Sequence, residues 1–263
     1  MRSDMYRRFS IYRLRLPKLT LCSLTLAAYA FFSSQVMAEE SSLTLGATGL
    51  YYGSPYKGID EDTGVYPLIL RKSPTWFTGG RSIGYHLTDF FDVSVAYQGS
   101  FLDPDDSSDA NISQLEERKA GPLLQGTLNI RPLKVEIGQG LSSSYDEGYY
   151  INASLGLPVY RGSFIAIAAV DYRYNSEKRS NYLYSVSADE SSLTSGALDS
   201  YSLDSGTSVV RYAVRLIQPL SDVFRVSAVL SHSRYDDDIT DSPLVGKSST
   251  NAFILSASYT FPF

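Results

Sequence analysis

Residues 251–263 read "NAFILSASYTFPF", and every second position counted back from the end is apolar: Phe263, Phe261, Tyr259, Ala257, Leu255 and Phe253. Strict alternation of this kind has the period of a β-strand that buries one face. As the edge strand of a secreted sandwich, it would leave its aromatic row exposed and prone to aggregation. In a closed barrel every backbone N–H and C=O pairs with a neighbouring strand, and the same row meets lipid. The ending therefore reads as the closing strand of a membrane barrel, with its last aromatics in an interfacial girdle.

The same period recurs upstream. In "GYYINASLGLPVY", 148–160, Tyr149, Ile151, Ala153, Leu155, Leu157 and Val159 oppose Tyr150, Asn152, Ser154 and Gly156; in "TSVVRYAVRLIQP", 207–219, Val210, Tyr212, Val214 and Leu216 oppose Arg211 and Arg215. A helix would scatter these sets around its axis, whereas a strand separates them. Most such segments have the ~10 residues that a tilted strand needs to cross a membrane. Short connections at 87–89, 131–132, 160–162 and 219–222 alternate with long polar ones at 53–63, 103–119, 176–206 and 235–247. Short periplasmic turns and long outer loops are the pattern of an outer-membrane barrel.

Such a barrel has both termini on the periplasmic side, so its strand number is even. The ambiguous stretch is 65–86, "VYPLILRKSPTWFTGGRSIGYH". Splitting it at Gly79-Gly80 gives strands at 65–71, 74–78 and 82–87 and a total of about twelve. Because these three are short, about ten is the alternative. The fold class is all-β, an antiparallel transmembrane β-barrel of the outer membrane with long acidic outer loops.

The start of the chain sets the compartment. Arg2, Arg7, Arg8, Arg13, Arg15 and Lys18 face a single Asp4, an apolar run follows at 19–32, and Val36 and Ala38 offer the small side chains that a signal peptidase accepts. Residues 1–38 read as a cleaved signal and 39–263 as one barrel domain; a retained anchor and a start at Met5 are the alternatives. The one cysteine, Cys22, lies in that leader, so the mature chain has no disulfide framework, thiolate nucleophile or cysteine metal site. Beside one Trp stand 21 Tyr, 12 Phe and 19 Gly, and no later apolar run suits a spanning helix. An exported chain of that composition is typical of β structure.

Without the six basic residues and one acid of the leader, the mature chain carries 17 basic against 27 acidic residues, a net charge of −10. The expected outer loops, with 144–147, hold 20 of the acids and 6 of the bases. Within the strands, Lys134, Glu136, Asp171, Arg173, Arg211, Arg215 and Arg225 fall opposite the apolar rows and are expected to face the lumen, since charges facing hydrocarbon cost a few kcal/mol each. Two readings of these charges stand. They pair and fill a small barrel, or the arginines line a path favouring anions. The loop acids read as solvated charge, with divalent cations shared with lipopolysaccharide phosphates as the alternative.

Catalytic groups are sparse. His232 falls on an outward row, and His86 faces inward without a serine nucleophile and acid at a recognisable spacing. "SHS", 231–233, is a chance-level match, and no phosphate loop, zinc spacing or nucleotide fingerprint occurs. The expectation is a protein without cofactor or nucleic-acid partner that is not an enzyme, a lipid-hydrolysing barrel being the minor alternative. Outer-membrane lipid, lipopolysaccharide and the barrel assembly machinery are the expected partners, the last reading Tyr259, Phe261 and Phe263.

Two stretches resemble a known family. "LTLGATGLYYGSPYKGIDEDTGVYPLI", 43–69, and "DDDITDSPLVGKSSTNAFILSASYTF", 236–261, are similar to the start and end of MipA/OmpV family outer-membrane proteins. The resemblance implies a β-barrel and roles linked to scaffolding a murein-degrading transglycosylase with a murein synthase, to adhesion and osmotic response, and to antibiotic susceptibility. The short periplasmic turns sit poorly with the scaffold role, because a stable interface takes ~20–30 residues a side. An outward-facing binding or envelope role comes first, and a narrow pore second. Residues 176–206, with Tyr182, Tyr184 and Tyr201, are the expected binding loop.

Overall fold

The alternating segments become twelve antiparallel strands, each paired with its neighbours in sequence, and the last pairs with the first to close the barrel. The computed structural model describes residues 41–99, 101–119, 121–141 and 148–263. The proposed leader, 1–38 with Cys22, and the acids of 144–147 lie outside the described residues. The first six strands are β1 Ser42–Tyr52, β2 Asp62–Lys72, β3 Trp76–Gly79, β4 Ser82–Thr88, β5 Phe91–Gln98 and β6 Gly121–Ile130. The second six are β7 Leu133–Gly140, β8 Tyr149–Arg161, β9 Ile165–Asn175, β10 Thr207–Pro219, β11 Phe224–Tyr235 and β12 Ser249–Pro262. No helix among the described residues is long and apolar enough to cross a membrane.

Closure of the ring uses both edges of the final strand. From Ser42 opposite Pro262 to Tyr52 opposite Ala252, β12 is paired along β1, and it meets β11 on its other side. Phe253, Leu255, Tyr259 and Phe261 are exposed on the outer face, while Ile254, Ser256 and Ser258 are buried inside. The Tyr259 and Phe261 rings lie 4.5 Å apart at a 48° tilt, and the Arg71 guanidinium lies 4.8 Å from the Trp76 ring and 5.7 Å from that of Phe263. This aromatic and cationic belt marks the end of the barrel that carries the short turns and the C-terminus.

The strand count is twelve and not ten. The expected split between β3 and β4 occurs, with Gly80 at φ 59, a left-handed turn conformation that glycine adopts without penalty. Yet β3 has four residues, against the ~9–11 that a tilted strand needs to cross. It meets β2 only from Leu70 opposite Gly79 to Lys72 opposite Phe77. The β3–β4 hairpin therefore stops partway up the wall, and β2 stands above it.

At the opposite end, the long connections fold into a dome. Helices α1 Glu177–Tyr184 and α2 Ala188–Leu193 follow β9, and α3 Asp237–Thr240 follows β11. Tyr56, Leu102, Ile112, Leu183, Ile239 and Leu244, drawn from four different loops, share one buried core. A second, smaller cluster of Leu50, Tyr52, Val229 and Ile254 lies inside the barrel wall.

Candidate functional site

The interior beneath the dome is built by strand register. Lys134, Ser154, Asp171 and Arg211 stand directly opposite one another on β7, β8, β9 and β10, and Glu136, Asn152 and Arg173 occupy the next inward row. Directly opposed side chains of opposite charge attract across a sheet. Arg211 Nε donates to Asp171 Oδ2 at 2.8 Å, and Lys134 Nζ donates to Glu136 Oε2 at 3.1 Å. Ser154 donates to Asp171 Oδ1 through its hydroxyl, which itself accepts from Asn152 Nδ2 at 2.9 Å.

Tyr150 links the second row to the dome side of the interior. Its hydroxyl donates to Glu136 Oε1 at 2.7 Å and accepts from Gln125 Nε2 at 2.5 Å. The Arg173 guanidinium sits 4.0 Å over its ring and that of Arg179 4.9 Å away. Gly138 stands opposite Tyr150 in the register, and a Cβ there would fall 2.2 Å from the ring. The bare glycine lets the ring lie against the wall, which positions its hydroxyl over Glu136. Buried charges persist where they are paired and hydrogen-bonded.

Of the seven expected lumen charges, Lys134, Glu136, Asp171 and Arg211 are buried in these two networks. Arg173 and Arg215 are half-buried on the same inward face. Arg225 departs from the others. It lies on the inward row near the turn end, yet it is exposed and donates to Thr260 Oγ1 at 3.1 Å. Of the expected assembly residues, Tyr259, Phe261 and Phe263 are all exposed, and the Phe263 N–H donates to the Ser41 carbonyl at 2.8 Å.

Most acids of the described loops are exposed, as solvated charge is, and Glu190 is the buried exception. Arg118 grips Glu190 with two bonds of 2.7 and 3.2 Å and reaches the Ser185 carbonyl at 2.9 Å. Burial alone raises the Glu190 pKa, but the hydrogen bonds from Arg118 and Ser187 outweigh it and hold the carboxyl below its ordinary value. Glu190 also completes a capping box with Ser187 at the start of α2. Arg179 is fully buried, donating to Asn175 Oδ1 at 3.2 Å and Gln98 Oε1 at 3.0 Å.

Tyr184, expected as a contact residue, is 4% exposed and packs in the dome core, whereas Tyr182 and Tyr201 are half-buried and donate to the carbonyls of Lys119 and Asp238. The missed signal was present in the sequence. Ser187 and Glu190 have capping-box spacing, and Leu102, Ile112, Leu183, Ile239 and Leu244 are too apolar for purely solvated loops. Among the described residues, no three His, Asp or Glu side chains gather in a way that could hold a metal ion.

Residues 45–261 match the family described as MltA-interacting protein MipA. The outer membrane protein YiaT of Escherichia coli (strain K12) is 25% identical over 242 residues, covering 88% of this chain and 97% of that protein. The MltA-interacting protein of the same strain is 25% identical over 238 residues, covering 87% and 94%. Among solved structures, an outer membrane channel from Pseudomonas putida F1 aligns over 86% of this chain and 97% of that one. Its TM-score of 0.39 and 9% identity are too low to bear on mechanism.

Proposed function

The chain belongs to the MltA-interacting protein MipA family of outer-membrane barrels, and we propose that it acts as an envelope interaction protein whose outer dome is the presented surface. One observation carries this reading: four loops share a buried core directly above a barrel interior occupied by paired charges. A packed dome presents a surface with little entropy to lose on binding. Its exposed acids, Asp105, Asp106, Asp237 and Asp238 among them, favour a cationic partner. The periplasmic turns, such as 131–132 and 162–164, offer far less area than a stable interface takes. A murein enzyme, the kind of partner the resemblance implies, would have to bind across several of these turns together.

Removing 177–205 tests the proposal. The expected result is loss of attachment to a cationic partner surface, while the barrel keeps its heat-modifiable mobility. Unchanged attachment by the folded variant moves the binding role away from this loop. Capture of a murein transglycosylase by the trimmed barrel would place the partner at the periplasmic end.

A further inference from the structure

On the lipid-facing side of the wall, a groove of about 660 Å³ crosses from β8 to β1. Its floor is one hydrogen-bonded row, Ala169, Ala213, Ser231 and Ala252, whose small side chains turn inward and leave backbone at the base. The outward side chains of the rows above and below form its banks. The groove starts at Tyr51, one residue from the loop end of β1, and its floor row meets β8 between Leu155 and Leu157, with Val159 extending the lower bank toward the turn end. Five strand spacings of ~4.8 Å give a length of roughly 24 Å. With strands tilted ~40°, it descends roughly 15 Å, about half of a ~30 Å hydrocarbon core. That is the depth of the outer leaflet.

The upper bank carries two polar residues where a barrel ordinarily shows only apolar ones. His232 Nδ1 and Asn251 Oδ1 lie 2.9 Å apart on the outer face, both exposed. This bond engages one ring nitrogen and leaves Nε2 for a ligand. Arg234 follows His232 on the same outward row, exposed at the loop end of β11. An apolar groove of one leaflet's depth, headed by an arginine and a histidine, matches a lipid that carries acyl chains below an anionic head.

We infer that this groove is a binding site for a phosphorylated, multiply acylated glycolipid of the outer leaflet, the chemistry of lipopolysaccharide. An acyl chain lies between the two banks, and a phosphate accepts from Arg234 and, when the ring carries both protons, from His232 Nε2. The site is on the wall and is independent of the role proposed for the dome.

The test uses the full-length protein in nanodiscs holding rough lipopolysaccharide and phosphatidylglycerol, with retained lipid read by native mass spectrometry. Wild type is expected to keep lipopolysaccharide in preference to phosphatidylglycerol. Arg234→Glu should lower its retention by about tenfold or more, the loss of one charge-assisted hydrogen bond. Ala168→Phe fills the lower bank without touching the cationic head and should lower retention as well. Wild type should also lose its preference when the glycolipid is dephosphorylated, an arm that needs no variant to fold. Equal retention across wild type and folded variants, a preference that survives dephosphorylation, or retention of phosphatidylglycerol in its place overturns the site.

Discussion

Arg118 and Glu190 come from different loops and are both buried, with side-chain exposures of 9% and 8%. Removing the guanidinium leaves a carboxylate in the dome without its strongest partner, a loss of about 2 kcal/mol or more locally. Arg118→Met is therefore expected to open residues 176–206 to protease at neutral pH while the strands stay protected. The pair also carries a pH dependence. Because the folded Glu190 pKa lies below the ordinary value of about 4.5, its contribution is complete above that value and disappears as pH falls through the folded one. Near-ultraviolet circular dichroism of the dome tyrosines should change on acidification below about pH 4.5 in wild type. A wild-type signal that stays flat to lower pH counts against a structural role for the pair.

At the scale of elements, the closing strand and the short hairpin are the informative pieces. β12 pairs with β11 and β1, so the ring stays open until this last strand is in place. Phe263 is 62% exposed at the belt beside Arg71, so it contributes little to packing once the barrel is closed. Phe263→Asp is accordingly expected to reduce outer-membrane levels severalfold, yet to leave the thermal unfolding of the barrel that does assemble within about 1 kcal/mol of wild type. Normal levels in cells with unsupplemented assembly capacity would remove the terminal aromatic from the assembly signal. The β3–β4 hairpin was legible as two strands from Gly79-Gly80, but its height was not. How far β2 rises above its neighbour depends on register with β1, a contact between distant segments.

For the whole molecule, the paired interior bears on conduction. Arg211 pairs with Asp171 and Lys134 with Glu136, and these four buried side chains occupy the lumen between β7 and β10, where a permeating anion would have to pass. Planar-bilayer recordings of the folded protein are expected to show no steady current. Trimming 177–205 should leave it silent too, because the strand-borne networks remain. A steady anion-selective current that falls on replacing Arg211 and Arg215 would restore the pore reading. We propose in addition that residues 1–38 are removed on export, so that N-terminal sequencing of the outer-membrane form begins at Glu39; recovery of Met1 or Met5 there would overturn this.

The sequence by itself determined the barrel, the inward and outward rows of its clearest strands, and the short and long ends, while it left the strand number between about twelve and about ten. Those features follow from local periodicity: a two-residue repeat beside lipid leaves one choice of face, and Gly79-Gly80 marks its own turn. The expected lumen charges could be placed on the inward face for the same reason. Only the tertiary structure decided which of them pair. The row that aligns Lys134, Asp171 and Arg211 is set by register across three strand pairings, and that register is fixed by closure of the ring. The dome was likewise beyond periodicity, since Tyr56, Ile112, Leu183 and Ile239 meet across loops that no repeat connects. Their burial is a property of four chain segments brought together by the barrel beneath them.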